Sequence, residues 1–179
     1  MIVYDLCSGL GGATQAFKDR GYTVITIDIN PAFNPDIVAD IRTLTVEDLP
    51  YPYADFVWAS PPCIIFSRES MPWIKTGKVP DMSIVLACKR LIDELNPPFW
   101  VIENVRGAVK WFRPYLGDPI LRVGPFYLWG KLPPLIPQVV LPRKIKQRYS
   151  GKNPELRAKI PYSLSLAICK AIEMYLGEL

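Results

Sequence analysis

The sequence contains no histidine among its 179 residues, and this absence narrows the possible chemistry. Serine–histidine hydrolases, histidine-ligated metal sites and histidine general bases are all excluded. Cysteine is also scarce, and the four cysteines lack the CxxC spacing of a zinc site and the pattern of a disulfide framework. We therefore expect a reducing, intracellular environment and no metal. Any chemistry must use Cys, Asp, Glu, Lys, Arg or Tyr side chains, or a cofactor.

Long apolar segments are missing as well. The chain has no run of the roughly 18 apolar residues that a membrane span requires. Residues 1–6 enter a strand pattern directly, without the basic region that opens a signal peptide. We expect residues 1–179 to form one intracellular domain that is neither secreted nor membrane-spanning, and that is long enough to bury a substantial core.

Basic charge is unevenly distributed along the chain. The formal net charge is only +4, but Lys and Arg concentrate in the segment 143–159. These residues are Arg143, Lys144, Lys146, Arg148, Lys152, Arg157 and Lys159. Such a segment can follow a phosphate backbone, but a solvated surface loop has the same composition. Both interpretations stay open on charge alone.

Apolar strand patterns alternate with amphipathic helix patterns from the first residues onward. The alternation predicts an α/β fold with a doubly wound, mostly parallel, Rossmann-like sheet. The predicted strands are 2–6, 22–28, 37–41, 54–58, 99–102 and 126–129, and the predicted helices are 13–18, 83–95 and 164–176, the last with Ser163 as its N-cap. Residues 45–49 predict one helical turn, 68–80 a loop beside the site, and 131–142 irregular structure.

Acidic or nucleophilic residues stand at the ends of the predicted strands, namely Asp5, Asp28, Asp40, Cys63 and Glu103. Because the carboxyl ends of parallel strands meet at one edge of a sheet, we expect these side chains to line one cleft. The three aspartates could hold an adenosine-type cofactor. Cys63 and Glu103 would then face a substrate.

The first strand leads into a glycine-rich turn, Cys7–Gly12, and then into a helix. Glycine lets the backbone approach a ligand closely, and the start of the helix offers unpaired N–H groups. Asp28 ends the second strand 17 residues beyond Gly11. This is close to the spacing at which an acid binds ribose hydroxyls in doubly wound folds.

A proline-clamped cysteine follows the fourth predicted strand, in the sequence Ala59-Ser60-Pro61-Pro62-Cys63. Neither proline can donate a ladder hydrogen bond, and each fixes its own φ, so the strand ends in a stiff turn. The turn would hold the thiol in one orientation, as a nucleophile requires. An inert buried cysteine is the alternative, since free cysteine is among the most buried residue types.

Three motifs occur in an order and at distances that resemble the DNA (cytosine-5-)-methyltransferase family. They are Asp5-Leu6-Cys7-Ser8-Gly9-Leu10-Gly11-Gly12, Ser60-Pro61-Pro62-Cys63 with Phe66-Ser67, and Glu103-Asn104-Val105. The resemblance covers roughly residues 1–130, and a weaker resemblance follows from Ile160 onward. It implies the sheet of S-adenosylmethionine-dependent methyltransferases, DNA as substrate and S-adenosylmethionine as cofactor, as in restriction-modification enzymes.

The resemblance also implies roles in catalysis. Cys63 would attack C6 of a cytosine flipped out of the duplex, and Glu103 would hold and protonate N3 while C5 takes the methyl group. Arg122 would stand in for a family arginine that touches the cytosine. The implied substrate contacts are Ser60, Pro62, Ser67, Asn104 and Val105.

For the cofactor, the resemblance assigns the glycine turn to the methionine portion, Asp28 to the ribose hydroxyls and Asp40 to the adenine amine. Leu86 stands where the family places an apolar contact, although a role in the helix core fits it equally well. The full implied set is Asp5, Cys7, Gly9, Leu10, Gly11, Gly12, Asp28, Ile29, Asp40, Ile41, Pro61, Leu86 and Ser163.

The chain departs from the family pattern at several positions. Cys7 replaces a phenylalanine that packs on the adenosine, Ile64 replaces a glutamine, Arg157-Ala158 replaces Gly-Asn, and the Gln-x-Arg-x-Arg motif is not intact. Only about thirty residues separate Gly130 from Ile160, where the family inserts a target-recognition domain on the order of a hundred residues. We expect short or relaxed specificity, or recognition borrowed from a partner protein, with segment 143–159 in place of that domain.

Two other functions remain open. A close branch of the family carries the same Pro-Pro-Cys and Glu-Asn-Val motifs and methylates RNA, so tRNA is an alternative substrate. A non-catalytic paralogue that binds S-adenosylmethionine or DNA as a regulatory subunit would fit the eroded arginine motif. The presence of both Cys63 and Glu103 favours an enzyme. The oligomeric state does not follow from the sequence.

Overall fold

The protein is described here by a computed structural model covering residues 1–70, 79–134, 136–139, 141, 156 and 158–177. The strands are β1 (Ile2–Leu6), β2 (Thr23–Asp28), β3 (Ile37–Val38), β4 (Phe56–Ala59), β5 (Phe99–Asn104), β6 (Leu121–Val123) and β7 (Phe126–Lys131). The helices are α1 (Gln15–Asp19), α2 (Ile64–Ser70), α3 (Ser83–Leu95), α4 (Val109–Leu116) and α5 (Tyr162–Leu176). Short 3₁₀ turns cover Pro31–Phe33, Val46–Asp48 and Arg106–Ala108.

All seven strands belong to one sheet in the order β3-β2-β1-β4-β5-β7-β6. The strands from β1 to β5 pair in parallel, and β7 runs antiparallel to both β5 and β6. The chain order reverses between β1 and β4, and such a reversal opens a crevice beyond the carboxyl ends of the two strands. The prediction of a doubly wound, mostly parallel sheet is confirmed.

Both faces of the sheet are covered, because alternate side chains of each strand point to opposite faces. Tyr4 and Leu6 of β1 belong to an apolar cluster with α2, α3 and α4, whereas Val3 belongs to a second cluster with α1 and α5. Phe66 of α2 meets Phe112 of α4 edge to face at 5.1 Å between ring centroids. The two apolar layers fix the strand ends that carry the candidate site.

Helix α5 begins two residues earlier than its sequence pattern indicates. Pro161 is the N-cap, and its carbonyl accepts hydrogen bonds from the N–H groups of Leu164 and Ser165. The prediction that Ser163 caps this helix is therefore wrong, because the backbone of Pro161 already starts it. The Ser163 hydroxyl is buried inside the first turn and has no hydrogen-bond partner within the described residues.

Two further elements, β3 and α2, differ from the prediction, and α4 falls where no element was predicted. β3 ends at Val38 because a turn begins at Asp40, whose carbonyl accepts from the N–H of Thr43 at 3.0 Å. α4 contains Pro114, which in a sequence predicts a break and not a helix. α2 runs to Ser70, into the segment predicted as a loop, and residues 71–78 of that segment lie outside the described residues.

Within the described part of the chain, no helix is both long enough and apolar enough to cross a membrane.

Candidate active site

The glycine-rich turn between β1 and α1 has a backbone that ordinary side chains rarely adopt. Gly9 and Gly11 have φ values of 49° and 66°, in the left-handed region that glycine enters without strain. A Cβ atom added at either position would meet nothing within 4 Å. The turn therefore leaves open space above its backbone, as a ligand-binding turn requires.

Gly12 is needed for a different reason, namely the close approach of another segment. A Cβ atom at this position would lie 2.5 Å from the carbonyl oxygen of Ile160 and 2.7 Å from Cγ of Lys159. The segment that leads into α5 is thus pressed onto the turn. It closes one side of the site with backbone atoms that cannot easily move.

We expect Gly12→Ala to destabilise the fold by about 1–3 kcal/mol, the usual effect of overpacking a tight contact. Urea unfolding measures the loss. The double variant Gly12→Ala/Lys159→Ala should stay destabilised, because the carbonyl of Ile160 remains in the way. Full rescue by the second substitution would mean that the flexible lysine side chain, and not the backbone, is the obstacle.

Asp28 ties the glycine turn to the end of β2. Its Oδ2 accepts from the N–H of Gly9 and its Oδ1 from the N–H of Asn30, both at 2.9 Å. The N–H of Ser8 donates to the carbonyl of Ile27 at 3.0 Å. Each carboxylate oxygen has several acceptor positions, so Asp28 keeps the capacity to accept from a ligand hydroxyl.

Two adjoining cavities, of about 320 Å³ and about 80 Å³, open beside this turn. They share Cys7, Asp28, Ile29 and Pro62 as lining residues. The larger cavity is also lined by Ser8, Gly9, Leu10, Gly12, Ala13, Asn30, Phe33, Ser60, Ala158, Lys159 and Ile160. The smaller one is also lined by Ile27, Ala39, Asp40, Ile41, Arg42 and Ile84. Together they form one elongated, mostly apolar groove at the predicted edge of the sheet.

An ion pair closes the far end of the groove. Arg42 donates to both carboxylate oxygens of Asp40, with Nη2 2.6 Å from Oδ2 and Nε 3.0 Å from Oδ1. This hydrogen bonding lowers the pKa of Asp40 to about 2. The Asp40 carboxylate is therefore already paired with Arg42 before any ligand enters this end of the groove. Arg42 was not predicted as a site residue, and its position two residues after Asp40 is the signal that the sequence offers for it.

Several predicted cofactor contacts lie outside the groove. Asp5 is fully buried behind the turn, where its Oδ2 accepts from the hydroxyl of Thr14 at 2.7 Å. Leu86 is exposed and is not among the lining residues, whereas Ile84 lines the groove from the same helix. Gly11, Pro61 and Ser163 are not among the lining residues. The predicted residues that do line it are Cys7, Gly9, Leu10, Gly12, Asp28, Ile29, Asp40 and Ile41.

The thiol of Cys7 points toward that of Cys88 in α3, with 3.9 Å between the two sulfur atoms. The hydrogen bond to Cys88, together with burial, raises the pKa of the Cys7 thiol. Cys7 therefore contributes a small neutral group to the groove wall. It leaves space where the resemblance calls for an aromatic ring.

Cys63 lies at the start of α2 and is partly exposed. Its carbonyl accepts from the N–H groups of Phe66 and Ser67, at 3.1 and 2.8 Å, so the residue forms the first turn of the helix. The N–H of Ser60 continues the ladder by donating to the carbonyl of Leu6 at 3.0 Å. The thiol is thus carried by a short turn that is fixed at both ends.

Glu103 lies within β5, on the strand next to the one that leads to Cys63. Its side chain is only 8% exposed, and burial raises its pKa to about 8, although a hydrogen bond with Ser60 acts in the opposite direction. The Ser60 hydroxyl lies 3.3 Å from Oε2 of Glu103. At neutral pH this carboxyl group therefore keeps its proton and can act as an acid.

Asn104 holds the two motifs together. Its Nδ2 donates to the carbonyl of Pro61 at 2.9 Å, and its Oδ1 accepts from the N–H of Val105 at 2.9 Å. Both contacts are made inside the protein, and the side chain is fully buried. Asn104 therefore positions the Pro-Pro-Cys turn relative to β5, and its role as a substrate contact stays a prediction.

We expect Asn104→Leu to destabilise the fold by about 1–3 kcal/mol, because the Pro61 carbonyl and the Val105 N–H lose their partner. We also expect the turn to loosen, so that the rate at which iodoacetamide alkylates Cys63 changes. Trp129→Phe is the matched control, since it removes another buried hydrogen bond, from the Trp129 indole to the Gly117 carbonyl at 3.2 Å. Equal alkylation rates in all three proteins would contradict a positioning role.

Arg122 belongs to the edge strand of the sheet, which does not adjoin the strand that carries Glu103. It lies on β6, two strands beyond β5, where its Nε donates to the carbonyl of Gly124 at 3.2 Å. Its guanidinium also lies 5.2 Å from the centre of the Tyr127 ring. It lines a separate cavity with Gln138 and neighbouring apolar residues. The structure thus gives Arg122 partners of its own, away from the groove.

Comparison with known proteins gives one family match and several structural relatives. Residues 1–113 match the C-5 cytosine-specific DNA methylase family. Type II methyltransferase M.DdeI of Desulfomicrobium norvegicum is 30% identical over 123 residues, which covers 62% of this chain and 29% of that protein. This chain thus spans less than a third of that relative.

Two solved structures share the fold. The Entamoeba histolytica methyltransferase EhMeth superposes with a TM-score of 0.56 at 18% identity, covering 86% of this chain and 61% of that one. A candidate DNA modification methyltransferase encoded within an Escherichia coli prophage superposes with a TM-score of 0.50 at 22% identity, covering 73% of this chain and 46% of that one. Identities this low establish the likeness of fold alone.

Proposed function

Because the match to residues 1–113 covers most of the chain, the protein belongs to the C-5 cytosine-specific DNA methylase family, and we propose that it methylates C5 of cytosine in DNA. The observation that carries the proposal is the pairing of a partly exposed Cys63 with a buried, protonated Glu103. Ser60 connects the two, since it precedes Cys63 by three residues and contacts Glu103. Ser60 and Pro62, which precede Cys63, line the groove together with residues of the glycine turn.

The chemistry needs both residues. C5 of cytosine is a poor nucleophile, and addition of the Cys63 thiolate to C6 converts the ring into an enamine that is nucleophilic at C5. Glu103 donates its proton to N3, which takes up the electron pair displaced by the addition. After C5 has gained the methyl group, N3 returns its proton to Glu103, and loss of the C5 proton to solvent expels Cys63 as a thiolate and restores the aromatic ring.

The residues that line the groove support S-adenosylmethionine as the cofactor. The glycine turn would hold the methionine portion, Asp28 would accept from the ribose hydroxyls, and Ile29, Ile41 and Ile84 would pack on the adenine. When bound, S-adenosylmethionine supplies an electrophilic methyl group on a sulfonium. The apolar lining of the groove favours a flat ring, and Asp40 with Arg42 would face its polar edge.

Access to C5 and C6 requires that the cytosine leave the base stack, as in other enzymes that modify bases. We infer that residues 1–179 act as one catalytic unit and that target recognition is short, relaxed or supplied by a partner protein. Most of the basic segment 143–159 lies outside the described residues. Lys159, which is exposed beside the groove, is a candidate phosphate contact.

The test is transfer of a tritiated methyl group from S-adenosylmethionine to unmodified duplex DNA, followed by nucleoside analysis. We expect 5-methylcytosine in the DNA. Label in tRNA but not in DNA would favour the RNA alternative. S-adenosylmethionine binding without label in either nucleic acid, even with cell extract added as a source of partner, would favour a non-catalytic binding role.

A further inference from the structure

We propose that Trp58 is a positioning residue for Glu103 and acts through Ser60. The indole N–H holds the Ser60 hydroxyl so that its hydrogen points at Oε2 of Glu103, which reserves the acid proton of Glu103 for Oε1 and hence for the base. The inference rests on the proposed function, because Glu103 is the general acid of that reaction.

The three side chains form a chain of hydrogen bonds. Nε1 of Trp58 lies 2.8 Å from Oγ of Ser60, and the same Oγ lies 3.3 Å from Oε2 of Glu103. The strands explain this geometry. Trp58 and Ser60 are two residues apart on one chain and point to the same face, and Ala59 pairs with Ile102, so Ser60 comes beside Glu103.

The direction of the hydrogen bonds follows from the chemistry of the groups. An indole N–H can only donate, whereas a serine hydroxyl has one hydrogen and two lone pairs. Trp58 is fully buried and packs edge to face on Phe56, so its N–H is fixed in direction. Once the Ser60 oxygen accepts from Trp58, its own hydrogen is free to be donated to Glu103.

The consequence falls on the protonated form of Glu103. A carboxyl oxygen that accepts a hydrogen bond serves as the carbonyl oxygen, so the proton resides on the other oxygen. The Ser60 hydrogen bond also lowers the pKa of Glu103 against the larger effect of burial. Within the described residues no charged side chain contributes to this shift. A change in the Ser60 hydrogen bond should therefore change the pKa of Glu103 directly.

The key variant is Trp58→Phe, which keeps an aromatic ring in the core but removes the N–H together with the five-membered ring; Trp129→Phe, at another buried indole, removes the same volume. We expect the single-turnover rate of methyl transfer to fall about fivefold to tenfold, the effect of one lost hydrogen bond, with unchanged affinity for S-adenosylmethionine. We expect the alkaline limb of the pH–rate profile to move to higher pH, because Ser60 no longer holds the pKa of Glu103 down. Ser60→Ala should shift it in the same direction.

Two further measurements separate positioning from general damage. The double variant Trp58→Phe/Ser60→Ala should be no slower than Ser60→Ala alone, because Trp58 acts only through Ser60. Trp129→Phe, which loses a buried indole hydrogen bond elsewhere, should leave the pH–rate profile in place. Additive losses in the double variant, or an unchanged profile in Trp58→Phe, would overturn the inference.

A titration that needs no activity distinguishes this inference from the proposed function. Carboxyl ¹³C NMR of the free protein, with Glu103 assigned by the Glu103→Gln variant, reports its ionisation directly. A higher Glu103 pKa in Trp58→Phe than in wild type supports the inference even if wild type transfers no methyl group. Identical titrations overturn it even if wild type is active.

Discussion

Cys63→Ala is expected to lose methyl transfer completely and to form no covalent complex with DNA. The reason is that alanine offers no atom to add to C6, and without that addition C5 stays unreactive. Duplex DNA containing 5-fluorocytosine makes the difference visible. Fluorine cannot leave C5 as a proton does, so a wild-type enzyme supplied with S-adenosylmethionine stalls as an adduct that survives a denaturing gel.

Two variants sharpen the result. Cys63→Ser keeps the shape but is a much weaker nucleophile at neutral pH, so we expect no adduct within the time in which wild type reacts fully. Cys169→Ala removes a buried thiol on the core-facing side of α5, and it should still form the adduct. An adduct in Cys63→Ala would assign the nucleophile to another residue. Methyl transfer by wild type without any adduct would contradict the covalent route.

The motifs predict the centre of the candidate site, because each one determines the backbone of only a few neighbouring residues. A glycine turn after a strand, an acid at the end of the next strand and two prolines before a cysteine all act over a few residues. Asp28, Cys63 and Glu103 accordingly lie at the strand edge where the sequence analysis expected them. The parallel sheet sets the ends of β2, β4 and β5, which carry or lead to these residues, in one row.

The residues that escaped prediction depend on the packing of whole elements. Leu86 and Ile84 both fit an apolar helix face, but two residues along an α-helix correspond to a rotation of about 200°. Which of them meets the groove depends on how α3 is rotated against the sheet, and the structure selects Ile84. Asp5 likewise lies behind the glycine turn, where its Oδ2 accepts a hydrogen bond from the Thr14 hydroxyl.

Helices α2 and α4 were not predicted from the sequence for another reason. Short helices gain most of their stability from tertiary contacts and little from their own sequence. The edge-to-face contact between Phe66 and Phe112 joins the two helices, and the sequence around neither phenylalanine predicts this contact. The same contact stabilises the first turn of α2, where Cys63 lies. The nucleophile thus depends on a packing arrangement that the sequence did not reveal.

Glu103→Gln is expected to slow methyl transfer by roughly 10²- to 10⁴-fold, the usual contribution of a positioned general acid. Glutamine keeps the size of the side chain and can still hydrogen-bond, but it has no proton to give to N3. Single-turnover kinetics with saturating DNA and S-adenosylmethionine measure the effect. Glu47→Gln, at an exposed carboxylate remote from the groove, is the control and should keep the wild-type rate.

The same variant should stabilise the fold in alkaline solution. Burial raises the pKa of Glu103 from 4.5 to about 8, so the folded protein binds a proton that the unfolded chain has released between these values. The stability associated with the protonated form is fully present below about pH 4.5 and is lost as the pH rises toward 8. Glutamine is neutral at every pH, so Glu103→Gln escapes this loss.

We therefore expect urea unfolding at pH 8 to show Glu103→Gln more stable than wild type, by on the order of 1–3 kcal/mol. The difference should shrink toward zero near pH 5. Some decline will remain in the variant, because burial also raises the pKa of Asp5 to about 7, and Asp5→Asn/Glu103→Gln should flatten the curve further. An equal stability difference at pH 5 and pH 8 would contradict a protonated Glu103. A variant that gains alkaline stability while losing activity would show that the acid is retained for chemistry at the expense of the fold.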